Sequence, residues 1–188
     1  DNYASVHEAC RGLTHQCLFG LTAKQITIST VGASPDRIRQ VADKAGTISL
    51  AISLHGATQE LREALIPSAR RTTLQKLGNA LDYHAWKTGK SVMLEYLLIE
   101  GVNDTPQALE ALIRFCLARR IPPFVNLIPY NPTIAGIELG YKTPSDASLQ
   151  TFNLRLRSSG IKSHVRWSTA AGRDVDRACG QLVTSLRQ

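Results

Sequence analysis

The sequence predicts an α/β fold: a partial, open TIM-like barrel in which parallel strands alternate with helices. Three observations carry this. Short runs of alternating apolar and polar residues recur between longer stretches of helical spacing, which is the pattern of right-handed βαβ units on a parallel sheet. The runs are too few to close an eight-stranded barrel. One face of several runs is small and polar near the strand's C-terminal end, where sheets of this class bind ligands. The clearest run is Ile48-Ser49-Leu50-Ala51-Ile52-Ser53-Leu54-His55-Gly56. As a strand it turns Ile48, Leu50, Ile52 and Leu54 toward helices and Ser49, Ala51, Ser53 and His55 toward the other side. The second set is too small and polar to fill a core, so it should border a cavity or a ligand.

In chain order, Val6 to Leu18 has helical spacing, with Val6, Ala9, Cys10, Leu13 and Cys17 on one side and Gly20 as a stop. Gln25 to Thr30 reads as a strand, with Ile26 and Ile28 opposite Thr27 and Ser29. Pro35-Asp36 opens a helix through Ala45 and Gly46 with Ile38, Val41, Ala42 and Ala45 as its apolar stripe. After the Ile48 strand come a short helix from Gln59 to Leu65, a basic loop Ser68-Ala69-Arg70-Arg71, and a helix that Thr73 caps and Gly89 follows. Ser91 to Ile99 is the next strand, with Val92, Leu94, Tyr96 and Leu98 on one face and Glu95 between Met93 and Leu97 on the other. Gly101-Val102-Asn103-Asp104 turns the chain, and Thr105-Pro106 starts a helix ended before Pro122-Pro123. Phe124 to Ile128 is a strand with Asn126 inward, and a loop runs on to Thr143. Pro144 to Ser159 is a helix, Ile161 to Trp167 a last strand, Ser168 to Arg173 a polar loop and Asp174 to Leu186 a terminal helix holding Cys179.

The 188 residues form a single domain, 1–188, with no repeat, linker or low-complexity tract to divide it. Hydrophobic content of 43% and charged content of 20% are those of an ordinary globular chain, and no apolar run reaches membrane-spanning length. Net charge is +7, from 22 Lys and Arg against 15 Asp and Glu. That is compatible with nucleic acid without specifying it; basic residues gather at Arg70-Arg71, at Arg119-Arg120 and along Arg155, Arg157, Lys162 and Arg166. The four cysteines (Cys10, Cys17, Cys116, Cys179) contain no Cys-x-x-Cys pair or zinc spacing, which points to free thiols and a reducing compartment. The start, Asp1-Asn2-Tyr3, is neither a signal nor a transit peptide and lacks an initiator Met, as expected of a processed or truncated product. The polar inward set is Thr27 and Ser29, Ser53 and His55, Glu95, and Asn126. A single such residue is commonly structural, whereas four strands doing it together favour a polar ligand cavity. The lack of a Gly-rich phosphate loop counts against a metabolic α/β enzyme with a phosphate-bearing ligand.

Five segments occur in an order that resembles one family: Ile26-Thr27-Ile28-Ser29-Thr30-Val31-Gly32, Leu50 to His55, Glu95-Tyr96 with Gly101-Val102-Asn103-Asp104, Asn126 to Pro132, and Ala178-Cys179-Gly180-Gln181-Leu182. They are similar to the radical S-adenosylmethionine RNA methyltransferases of the RlmN and Cfr type, which methylate an adenine ring carbon of large-subunit ribosomal RNA. The resemblance implies that Ser29, Ser53, Leu54, His55 and Asn131 contact S-adenosylmethionine, and that Cys179 is the cysteine methylated during the reaction. Its methyl group is then activated by a deoxyadenosyl radical and passed to the adenine. A thiol is needed because the electron-poor ring carbon cannot itself attack the methyl donor. Two departures stand out. The family's Cys-x-x-x-Cys-x-x-Cys and Gly-Glu-Pro segments are absent, as expected of a barrel truncated on its N-terminal side. The [4Fe-4S] cluster is therefore expected in a full-length protein, this chain alone holding no metal and being unable to generate the radical; Cys10 and Cys17 have no cluster spacing. Ala171-Gly172-Arg173-Asp174-Val175 also stands where the family has an Arg-Gly-Asp-Asp-Ile-like run, in a segment about two residues longer. The resemblance implies an adenine-C2 methyltransferase of ribosomal RNA and possible substrates among transfer RNAs, cytoplasmic or in an organelle matrix, without DNA or membrane partners. The alternatives are the C8-methylating subtype and a non-catalytic RNA- or ribosome-binding relative that has lost the cluster.

Overall fold

Five parallel strands lie in the order in which they occur in the chain, so every connection is a crossover to the adjacent strand. The computed structural model describes residues 2–166. The strands are β1 (Thr27–Thr30), β2 (Ser49–Ser53), β3 (Met93–Leu98), β4 (Phe124–Pro129) and β5 (Ser163–Val165). The helices are α1 (Tyr3–Thr14), α2 (Pro35–Ala45), α3 (Gln59–Leu65), α4 (Leu74–Thr88), α5 (Pro106–Leu117), α6 (Ile134–Glu138) and α7 (Asp146–Ser158).

Strand alternation divides the sheet into two unlike faces. Ile52, Leu54, Leu94, Tyr96, Val125 and Leu127 are wholly buried and share one core with Ile38 and Val41 of α2, Leu77 and Leu81 of α4, Leu112 and Cys116 of α5, and Leu149, Phe152 and Leu156 of α7. A smaller cluster of Cys10, Ile26, Ala45 and Ile48 seats α1 beside α2. The opposite, inner face stays half-buried along β3 at Met93, Glu95 and Leu97 and along β4 at Phe124, Asn126 and Ile128. The open parallel α/β architecture therefore matches the sequence expectation.

The loops leaving the strand tips are held by helix caps. Thr58, Thr73, Thr105, Thr133 and Ser145 each accept a hydrogen bond from the backbone N–H three residues on, at Leu61, Lys76, Ala108, Gly136 and Ser148. Gly89 closes α4 in the left-handed region, with φ 67°.

Five stretches differ from the sequence expectation. Helix α1 ends at Thr14, leaving Cys17, Leu18 and Phe19 exposed. The Thr14 hydroxyl takes the Cys10 carbonyl at 2.9 Å and Leu21 N–H takes that of Leu13 at 2.9 Å, so last-turn carbonyls are satisfied without another turn. Gln25 falls in a 3-10 turn whose Thr22 N–H donates to its side chain, so β1 starts at Thr27. The loop expected before Thr143 contains α6, and the basic loop before Thr72 is a 3-10 turn, Pro67–Arg71. Strand β5 is confined to Ser163–Val165. The loop Ser168–Arg173, the terminal helix and Cys179 lie outside the described residues. Among the described residues no helix is long and apolar enough to cross a membrane.

Candidate functional site

The C-terminal tip of β2 is where the inner face acquires its chemistry. Alternation turns Ser53 to the inner face, while the Leu54 side chain is wholly buried in the helix-facing core and His55 follows just past the strand end. The Leu54 N–H donates to the Glu95 carbonyl, and its own carbonyl accepts from Arg62 and from Gly56 N–H. Leu54 therefore offers a ligand no vacant polar group; its contribution is to anchor the end of β2 between Ser53 and His55.

His55 has φ 54°, the one positive φ at a non-glycine among the described residues. Its Nδ1 accepts from Leu97 N–H at 3.1 Å, and its carbonyl accepts from Asn103 Nδ2 at 2.8 Å. A ring nitrogen that accepts from an amide carries no proton, so the neutral ring has its hydrogen on Nε2. Burial, followed by the Arg62 charge, pushes the imidazole pKa down to about 4. Gly56 follows because a Cβ there would lie 2.6 Å from the Arg62 backbone nitrogen.

Arg62, on α3, is 0% exposed. Its guanidinium donates to the Ser53 carbonyl at 2.9 Å, to the Leu54 carbonyl at 2.6 Å and to the Val31 carbonyl. Burial lowers its pKa to about 10, which leaves it a cation at neutral pH. Asn103, also 0% exposed, receives Ile99 N–H on Oδ1 at 2.7 Å and donates to the Leu97 carbonyl at 2.5 Å.

Across the inner face, the register aligns Ser53 with Glu95, Glu95 with Asn126 and Asn126 with His164. Asn126 Nδ2 donates to Glu95 Oε2 at 2.8 Å, joining the two inward polar residues of β3 and β4. Ser29 pairs with Ala51, one row nearer the strand starts and on the same face as Ser53. Asn131 is half-buried and follows Tyr130, whose N–H bonds the Leu98 carbonyl at the end of β3. The structure thus puts Ser29 and Ser53 on the same face of adjacent strands, with His55 just past the tip of β2, and puts Asn131 past the tip of β4, two strands or about 10 Å from β2. Arg62 and Asn103 escaped the sequence reading. Nothing in the sequence marks Arg62 on a short polar helix, and Asn103 reads there only as part of the turn Gly101–Asp104.

Among the described residues, a cavity of about 520 Å³ between α5 and α7 reaches Asp104, and one of about 270 Å³ between α4 and α5 reaches Ala57 and Thr58; neither is lined by Ser29, Ser53, His55 or Asn131. No group of three or more His, Cys, Asp or Glu among the described residues could hold a metal. Cys10 and Cys116 are buried, and burial raises both thiol pKa values, that of Cys116 to about 12. Of the basic clusters, exposed Arg70, Arg71 and Arg166 adjoin the strand-tip end, whereas Arg119, Arg120 and Lys162 precede strand starts at the other end. Arg119 is engaged by Asp82 at 3.0 Å.

A parallel open sheet with helices against one face and its polar residues at the strand tips is the architecture of radical S-adenosylmethionine domains. A solved radical SAM methyltransferase from Sphaerobacter thermophilus superposes with a TM-score of 0.87 at 36% identity, over 96% of this chain and 50% of that one. A domain of pyruvate-formate lyase-activating enzyme from Bacteroides vulgatus shares the fold, with a TM-score of 0.67 at 16% identity over 88% of this chain and 91% of that one. The curated relatives include a probable dual-specificity RNA methyltransferase RlmN of Thermotoga neapolitana, 38% identical over 96% of this chain and 50% of its own length. The ribosomal RNA large subunit methyltransferase N of Nitrosopumilus maritimus is 38% identical over 98% of this chain and 50% of its own length. No family model matches. The chain is homologous, over nearly all its residues, to one half of the RlmN-type radical SAM methyltransferases. It spans about half the length of the curated relatives it matches.

Proposed function

We propose that this chain is the S-adenosylmethionine-binding, thiol-bearing part of a radical SAM RNA methyltransferase that methylates C2 of an adenine in large-subunit ribosomal RNA. The observation that carries the reading is the correspondence of nearly the whole chain, at 38% identity, with proteins named as RNA methyltransferases, one of them of large-subunit ribosomal RNA. The geometry supports it at the strand tips. The inner strand positions carry one carboxylate, Glu95, and no lysine or arginine among the described residues, a charge sign suited to a sulfonium cation. With Nδ1 fixed as an acceptor by Leu97 N–H, Nε2–H is the donor that the His55 ring has to offer.

In this reading His55 donates from Nε2, while Ser29 and Ser53 supply hydroxyls and Asn131 an amide to the same ligand. When bound, S-adenosylmethionine supplies the methyl group. Cys179 is the thiol that takes that group and hands it to the adenine, and exposed Arg70, Arg71 and Arg166 face the RNA phosphates. The described residues do not fit a [4Fe-4S] cluster, and none is assigned a part in electron supply. Transfer RNA adenines are a second substrate class, and the protein works beside ribosomes in the cytoplasm or an organelle matrix.

Replacing Cys179 with Ala in the gene is expected to remove 2-methyladenosine from ribosomal RNA, read by mass spectrometry of nuclease digests. Undiminished 2-methyladenosine refutes the assignment, and loss of 8-methyladenosine instead identifies the C8 subtype. Ser53→Ala and Asn131→Ala are each expected to weaken S-adenosylmethionine binding about tenfold in calorimetry, the worth of one good hydrogen bond to a ligand.

A further inference from the structure

The sheet is interrupted at one point, and the interruption is filled by side chains. Leu54 N–H bonds the Glu95 carbonyl, so a continuing parallel ladder would bring Leu97 N–H to the Leu54 carbonyl and Gly56 N–H to the Leu97 carbonyl. Neither bond forms. Leu97 N–H goes to His55 Nδ1, and Gly56 N–H turns back to the Leu54 carbonyl at 2.7 Å. The carbonyls left over at the break find side-chain partners. Arg62 takes the carbonyls of Val31, Ser53 and Leu54; Asn103 takes those of His55 and Leu97 and fills its Oδ1 with Ile99 N–H. The imidazole has replaced a rung of the ladder, and two wholly buried side chains hold the break open.

We infer that Arg62 and Asn103 are positioning residues of the ligand site: acting through five strand-tip carbonyls, they keep His55 left-handed with Nδ1 against Leu97 N–H and Nε2–H presented to the ligand. The ligand named here rests on the proposed function; the positioning itself rests on the bonds above. Without the Asn103 amide the His55 and Leu97 carbonyls lose their donor. Without the forked guanidinium, β1 and β2 lose their common tie beyond Thr30 and Ile52, the last pair in register. Either loss frees the ring to leave Leu97 and to exchange its proton between the two nitrogens. Lysine does not replace Arg62, because one ammonium cannot span carbonyls on two strands as a planar fork does.

The test uses the 15N-labelled chain, with long-range proton–nitrogen correlation on the His55 ring and calorimetry with S-adenosylmethionine. Wild type is expected to show a neutral ring protonated on Nε2. Arg62→Lys and Asn103→Asp, with native circular dichroism, are expected to show exchange between tautomers and a Kd raised at least tenfold. Variants that keep the wild-type ring pattern and bind within twofold of wild type overturn the inference, even if their Tm has fallen. Should neither variant fold, wild type alone decides, because an Nδ1-protonated or freely exchanging ring also overturns it. A wild-type chain that shows the Nε2–H signature, loses it in the variants and takes up no S-adenosylmethionine upholds the positioning and sinks the cofactor reading.

Discussion

His55 and His84 are both histidines whose burial disfavours the charged ring, in different surroundings. His55 is held by Leu97, whereas His84 on α4 is 0% exposed with neither ring nitrogen bonded among the described residues. Burial, with the charge of Lys90, lowers the His84 pKa, and burial with Arg62 brings that of His55 to about 4. The sign for stability follows from the unfolded chain, whose histidines bind protons below about 6.5 while the folded ones refuse them. Stability is therefore intact above that pH and falls as pH drops through the window toward 4. The urea midpoint is expected to fall between pH 7 and pH 5, each histidine contributing up to about 1.4 kcal/mol per pH unit. His55→Gln and His84→Leu should each flatten that slope; a slope unchanged in both removes the histidines as its source. At pH 7, His84→Leu is also expected to stabilise by about 1 kcal/mol, since hydrocarbon replaces two unsatisfied buried nitrogens. A loss instead would show that the ring has a partner. In the sequence, His55 was visible as the polar end of a strand, but His84 was not, because no periodicity distinguishes a buried histidine from an exposed one.

Among the elements, α6 and α4 show how a helix can be set by a contact from elsewhere. A Cβ on Gly136 would sit 1.8 Å from the Tyr130 hydroxyl, which receives Thr133 N–H at 3.0 Å, so the helix starts hard against the ring. Gly136→Ala is expected to cost about 2 kcal/mol, as overpacking does, and Tyr130→Phe in the same chain to recover part of it by removing the clashing oxygen. Strict additivity in denaturant titrations would rule out this contact as the cause. Gly78 costs α4 about 1 kcal/mol relative to alanine. It is kept where a Cβ would lie 2.1 Å from the Arg119 guanidinium on its way to Asp82. The Thr caps of α4 and α5 and the Pro starts of α2 and α5 were legible because they act within four residues. Helix α6 was not: one turn is too short for a periodic stripe, and its reason to form is the tyrosine beneath it.

At the scale of the whole molecule, β3 is the centre, hydrogen-bonded on both sides and backed by the main core, while β1 and β5 are paired on one side among the described residues. Amides of Met93–Leu98 are expected to exchange most slowly, near the global unfolding rate, and those of Thr27–Thr30 and Ser163–Val165 faster through partial openings. Equal protection of β1 and β3 would contradict that hierarchy. The sequence by itself determined the alternation of strands and helices, which face of each strand meets the core, and that Ser29 and Ser53 turn the other way. Those features are local, written by a period of two or 3.6 residues. Only the tertiary structure decided that Glu95 and Asn126 join across strands, that a histidine ring stands in for a backbone carbonyl, and that Arg62 and Asn103 hold it there. These depend on register and on unpaired carbonyls meeting distant side chains, and no short-range pattern encodes where a ladder breaks.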